Sequence, residues 1–142
     1  MPLNRMNLTL SEADNLIQHA KIVASSMGLS ICIVVVDSGG RTIGSAMMDG
    51  AKFTSMSIAQ GKAATAAGHK SFTSKLATGG NRGIENSNNG MFTVFAGGVP
   101  VQFQGEIIGA IGISGGKPTE DEAICVKAIE AVKPTFVVLS KL

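Results

Sequence analysis

The sequence has no tryptophan, no tyrosine, only six phenylalanines, two cysteines and no basic run. Each shortage excludes something. Aromatic platforms hold single strands and basic stripes neutralise phosphates, so nucleic acid is not an expected partner. Twelve basic and ten acidic residues leave a net charge of +2, with the lysines and arginines scattered singly. Cys32 and Cys125 sit in the apolar runs Ile31-Cys32-Ile33 and Ile124-Cys125-Val126. With no CxxC spacing they make neither a zinc site nor a dithiol motif, and both are expected as small buried core residues. The longest apolar stretch, residues 31–36, is far short of the roughly 20 residues a membrane span needs. No continuous apolar segment of an export signal follows Met1-Pro2-Leu3-Asn4-Arg5. A soluble, cytoplasmic protein with no membrane partner is expected.

What the chain does have is small and β-branched: 18 glycines in 142 residues, with alanine, isoleucine and valine abundant. Such a core lets secondary elements approach closely. The length suits one domain, residues 1–142, able to bury about 68–70% of its unfolded surface. Thr9 with Glu12 forms a capping box. Leu10, Ala13, Ile17, Ala20, Ala24 and Met27 then recur at helical spacing as far as a Gly28 stop. Residues 30–37 and 41–48 flank the Asp37-Ser38-Gly39-Gly40 turn and read as an antiparallel hairpin. A second helix follows over 54–68, with small Ala59, Ala63, Ala66 and Ala67 on one face; its Gly61 implies a tight contact. A short helical segment is expected at 73–77, and a Gly/Asn-rich loop at 78–90. Three strands are predicted at 92–96, 100–103 and 106–114, the last two joined by Gln104-Gly105. A final helix starts at a Thr119–Glu122 capping box and ends near Lys133-Pro134, leaving an apolar tail as a further strand or packing arm. The fold class is α/β: profilin-like α/β/α layers with a five-stranded, mostly antiparallel sheet.

Catalytic constellations are scarce. Gly112-Ile113-Ser114-Gly115-Gly116 matches G-x-S-x-G minimally, but neither histidine has an evident carboxylate to orient it, and hydrolase chemistry is not supported. No glycine pair is followed by the Lys-Ser/Thr of a phosphate-binding loop. Glu120, Asp121 and Glu122 at a helix start are accounted for by the helix dipole. Of the two histidines, His69 ends the second helix and His19 lies beside the stripe of the first. Either is explained structurally, and either offers an imidazole nitrogen to haem iron. Met47, Met48 and Met56 fill core gaps or line an irregular pocket for a flat cofactor.

Several segments together resemble the GlcG/HbpS-like haem-binding (haem-degrading) family, related to the C-terminal half of PduO-type proteins. Val35-Val36-Asp37-Ser38-Gly39-Gly40 is similar to its VVD-x-GG hairpin, and Met48-Asp49-Gly50-Ala51 to its MDGA motif. Ile58-Ala59-Gln60-Gly61-Lys62-Ala63 is similar to IA-x-x-KA, and Phe72-Thr73-Ser74-Lys75-Leu76 to the PTS-x-L turn. Gly97-Gly98-Val99-Pro100 and Gly109-Ala110-Ile111-Gly112-Ile113-Ser114-Gly115 complete the set. The resemblance spans nearly the whole chain. It implies the profilin-like fold, a homo-oligomer, and haem as ligand, with corrinoid as the alternative tetrapyrrole. By position it carries over only Thr73, as a hydroxyl near the iron. His69, also as metal ligand, and His19 are added from ligand chemistry, and Met48 as a pocket wall. The chain departs from the family in having His69-Lys70-Ser71-Phe72 where proline is common before Thr73, and from secreted members in lacking an export signal.

The function expected is a haem- or tetrapyrrole-binding accessory protein of a metabolic operon. The alternatives are a sensor or enzyme for a small organic acid or aldehyde, and a purely structural assembly protein. No catalytic residue is assigned.

Overall fold

The computed structural model describes residues 1–76, 84 and 87–140, the last six by backbone alone. Its elements are α1 (Leu10–Ser26), β1 (Cys32–Asp37), β2 (Thr42–Met47), α2 (Thr54–His69), a 3-10 turn (Thr73–Leu76), β3 (Gly98–Phe103), β4 (Glu106–Ser114) and α3 (Pro118–Ser140). α1 starts where its capping box predicts: the Glu12 N–H donates to Thr9 Oγ1 at 3.2 Å, and the Thr9 N–H to Glu12 Oε1 at 2.8 Å. It ends at Gly28, in the left-handed region at φ +71°. The apolar stripe is displaced from expectation, since Leu10 is exposed and Leu16 is buried.

The sheet has four strands among the described residues, in the order β2-β1-β4-β3, all antiparallel. β1 is buried along its whole length, and its alternation divides the core. Ile33 and Val35 face α1 and α3 with Ile111 and Ile113, while Cys32, Val34 and Val36 face α2 with Ala110. This is the expected α/β/α layering. Its two faces differ in thickness: branched side chains fill one, whereas on the other Ala59, Ala63, Ala66 and Ala67 lie almost directly on the strands. A Cβ on Gly112 would collide with the Ala59 carbonyl and come within 2.6 Å of Ala63 N. The small-residue composition sets this distance.

The fifth strand is a correction. Residues 92–96 are not a strand but an irregular segment lying on α2. Side-chain hydroxyls, not a neighbouring strand, hold backbone groups in and beside it. The Thr93 N–H donates to Thr65 Oγ1 at 3.0 Å, the Thr65 hydroxyl donates to Met91 O at 3.2 Å, and the Thr73 hydroxyl donates to Phe95 O at 2.8 Å. Gly61 permits this approach, because a Cβ there would meet Thr93 Oγ1 at 2.6 Å and Met91 O at 2.9 Å.

The last helix also differs. It starts at Pro118, whose missing N–H and fixed φ suit a first helical position. The Lys117 N–H donates to Glu120 Oε1 at 2.8 Å, and Glu122, expected in the capping box, instead accepts from the Ser74 hydroxyl at 2.5 Å. The helix continues through Pro134 to Ser140, so the tail read as a strand or arm is helical up to that residue. The loop expected at 78–90 lies largely outside the described residues. Gln104 (φ +51°) and Gly105 (φ +79°) make the predicted tight turn between β3 and β4. Among the described residues no helix is long and apolar enough to cross a membrane.

Candidate functional site

The segment from Met91 to Gly98 is where the fold spends its buried polar chemistry. α2 presents Lys62 from its small-residue face, and the side chain is 1% exposed. A buried ammonium requires partners. Lys62 Nζ donates to Ile113 O at 2.8 Å and to Asp121 Oδ2 at 3.1 Å, and lies 4.9 Å from the centroid of the Phe95 ring. Asp121 is 2% exposed, and its other oxygen accepts the Gly116 N–H at 2.9 Å. Burial pushes the Asp121 carboxyl above the ordinary aspartate value, against the opposing pull of Lys62 and of the Gly116 N–H. Gly97 makes room for this cluster, because a Cβ there would stand 2.5 Å from Lys62 Nζ, and its φ is +126°. Cys125 lies alongside with its thiol directed at Gly97 O, 3.4 Å away, and burial pushes its pKa up as well. Both cysteines are buried and free, as expected.

Beside Phe95 a groove of about 600 Å³ opens between the start of α2 and the irregular segment. Ser57, Ile58, Met91, Phe92, Val94 and Phe95 line it, and Phe95 is 44% exposed. The volume is that of a small-molecule or cofactor pocket. His69 adjoins the groove without lining it: its exposed imidazole packs edge-on against the buried Phe92 ring, with centroids 4.6 Å apart at 60°.

Of the residues singled out from sequence, His69 and Thr73 both belong to this neighbourhood. Thr73 is fully buried, with its hydroxyl donating to Phe95 O and accepting the Gly98 N–H at 2.9 Å, so it braces the groove's backbone. His19 and Met48 lie elsewhere. His19 is half-buried on α1, across the sheet from α2, and Met48 packs against the core on the α1 side. Met56, by contrast, packs against the α2 face. Sequence reasoning missed Lys62, Asp121 and Phe95. The available signal was a lysine set among Ala59, Ala63 and Ala66, where a helix face is otherwise made of small residues. Among the described residues no three His, Cys, Asp or Glu side chains gather as a metal would require.

Residues 8–130 match the family described as haem degrading protein HbpS-like. The chain is 32% identical over 128 residues to an uncharacterized 15.0 kDa protein of the dhaT–dhaS intergenic region of Citrobacter freundii, covering 87% of this chain and 90% of that protein. Among solved structures, Klebsiella pneumoniae ORFY superposes with a TM-score of 0.89 at 27% identity, over 93% of this chain and 94% of that one. A complex of PduOC with haem superposes with a TM-score of 0.83 at 28% identity, over 89% and 95%. Sequence match and superposition agree over nearly the whole fold, and the chain belongs to the HbpS-like haem-degrading protein family.

Proposed function

We propose that this chain is a tetrapyrrole-binding accessory protein that takes haem into the groove between α2 and residues 91–95. The observation that carries the reading is the exposed His69 imidazole resting on the ring of Phe92, a residue of the groove wall. An imidazole nitrogen is an established axial donor to haem iron, and Ile58, Met91, Val94 and Phe95 supply the apolar surface a macrocycle needs. Thr73 acts through the backbone it braces. His19 and Met48 take no part. When bound, haem brings a redox-active iron; the residues here bind and orient it and shield one face from water. The relative solved as PduOC with haem and the shared family support the same ligand. The protein acts in the cytoplasm without nucleic acid or membrane, and as a homo-oligomer; exposed Leu10, Ile22, Met47 and Phe53 are available for association, and light scattering reads the mass.

The test is a titration of the purified protein with hemin, followed by the Soret band, in wild type, His69→Ala and His19→Ala. A stoichiometric Soret shift that His69→Ala abolishes and His19→Ala leaves intact supports the reading. No shift in wild type contradicts it, and loss confined to His19→Ala moves the donor to α1. A corrinoid titrated in parallel separates the two tetrapyrroles.

A second reading has its own observation. A cleft of about 330 Å³ where the N-terminal segment meets the end of α2 and the β3–β4 turn is lined by Arg5, Lys70, Ser38 and Glu106. Its two cations suit a small organic acid. Calorimetry with simple carboxylates on wild type and Arg5→Ala decides it, and absence of heat in wild type excludes it.

A further inference from the structure

Phe95 has two environments. One side of its ring meets the Lys62 ammonium, 4.9 Å from the centroid and shut off from water. Yet the side chain is 44% exposed and lines the groove. The cation is not free to leave, because Asp121 and the Ile113 carbonyl hold it. An ammonium against one face of an aromatic ring draws π density toward itself, and desolvation strengthens the attraction. The opposite face is then poorer in electrons than an ordinary phenyl ring. Electron-rich, negatively charged planar molecules stack well on such a face, and cationic planar molecules stack badly. A hydrophobic groove alone would make no such distinction.

We infer that Phe95, with the Lys62 ammonium seated behind it, is the specificity-determining surface of the groove and selects electron-rich, anionic planar ligands over cationic ones. This rests on the groove being the tetrapyrrole site. It gives a role to the buried Lys62–Asp121 pair beside a groove-lining aromatic residue, which binding alone leaves without one. Thr73 contributes by fixing the Phe95 carbonyl, which holds the ring's own backbone in place.

The experiment compares two probes, hemin with its carboxylate periphery and a tetracationic porphyrin, on four proteins: wild type, Phe95→Leu, Phe95→Trp and Lys62→Met/Asp121→Leu. The double variant removes both charges together, so no lone buried charge is left to unfold the chain; melting curves confirm folding. The readout is the ratio of the two affinities. Wild type prefers hemin, and Phe95→Leu lowers that preference by roughly three- to twentyfold, the span of a cation–π contact in dissociation constants. Phe95→Trp keeps or raises it. The double variant lowers it like Phe95→Leu, although Phe95 is still present. If the double variant fails to fold, the leucine and tryptophan variants decide the question between them. A ratio unchanged across the folded variants, with hemin still bound, overturns the inference and leaves the haem reading standing. Absence of hemin binding in wild type removes the reading beneath it.

Discussion

Removing one partner of the Lys62–Asp121 pair gives the sharpest test of the packing. Asp121→Ala leaves the ammonium 1% exposed with only the Ile113 carbonyl at 2.8 Å and the Phe95 ring as company, and strips the Gly116 N–H of its acceptor. An uncompensated buried charge costs about 3–5 kcal/mol, at least about a fifth of the roughly 5–15 kcal/mol that holds a domain together. For a chain of this length that is a fall in Tm of about 10–15 °C. Lys62→Met alone leaves the carboxylate in the same position and costs a similar amount. The double variant Lys62→Met/Asp121→Leu is expected to recover most of the loss, because apolar pairs of similar volume are neutral or better in such sites. Urea unfolding at pH 7 gives the four stabilities, and an unchanged m-value licenses the comparison. The coupling from the double-mutant cycle is then several kcal/mol. If each single variant costs under about 1 kcal/mol, the size of a solvated surface pair, or if the two losses simply add, the pair is not desolvated as described.

Further consequences follow from the same contacts. Gly112→Ala drives a methyl into the Ala59 carbonyl and Ala63 N, which are backbone atoms and cannot yield cheaply, so a loss of at least the roughly 1–3 kcal/mol of an overpacked core is expected. Gly68→Ala, with nothing within 4 Å of its added methyl, should instead stabilise by about 0.5–1 kcal/mol in the same urea assay; equal effects at the two sites contradict the packing. Thr73→Val strands the Phe95 carbonyl and the Gly98 N–H at about 1–3 kcal/mol each, and Thr73→Ser restores both. For Asp121 the folded-state pKa is raised by burial above an unfolded value near ~3.9. Its proton is therefore held more tightly in the native state. That contribution is full below about pH 4 and is lost as pH rises through the folded value. Asp121→Asn removes this downward slope from urea midpoints measured between pH 4 and 7, and parallel slopes in wild type and variant would refute the shift.

Much of the fold was legible because its signals are local. The Thr9–Glu12 box, the Gly28 stop, the β-branched run of β1 and the Gln104-Gly105 turn each decide a boundary within a few residues. The errors come from partners distant in sequence. Residues 92–96 have the composition of a strand, but their hydrogen bonds go to Thr65 and Thr73, about 20–30 residues away, and no local pattern records that. Glu122 looked like a cap until Ser74, 48 residues earlier, took its carboxylate. Lys62 and Asp121 are 59 residues apart, and each alone has an ordinary explanation as a solvated helix charge. The sequence singles out His69, Thr73, His19 and Met48 alike, and nothing in it separates the first two, which lie beside the groove, from the others. Nor does it give Thr73 its place, because a threonine's burial depends on which carbonyl the fold brings to it.

If haem occupies the groove over Phe95, a crystal structure of the hemin complex shows the macrocycle lying against Phe95 with its iron on His69. A macrocycle bound on the α1 face beside His19, with the groove left to solvent, would overturn that placement.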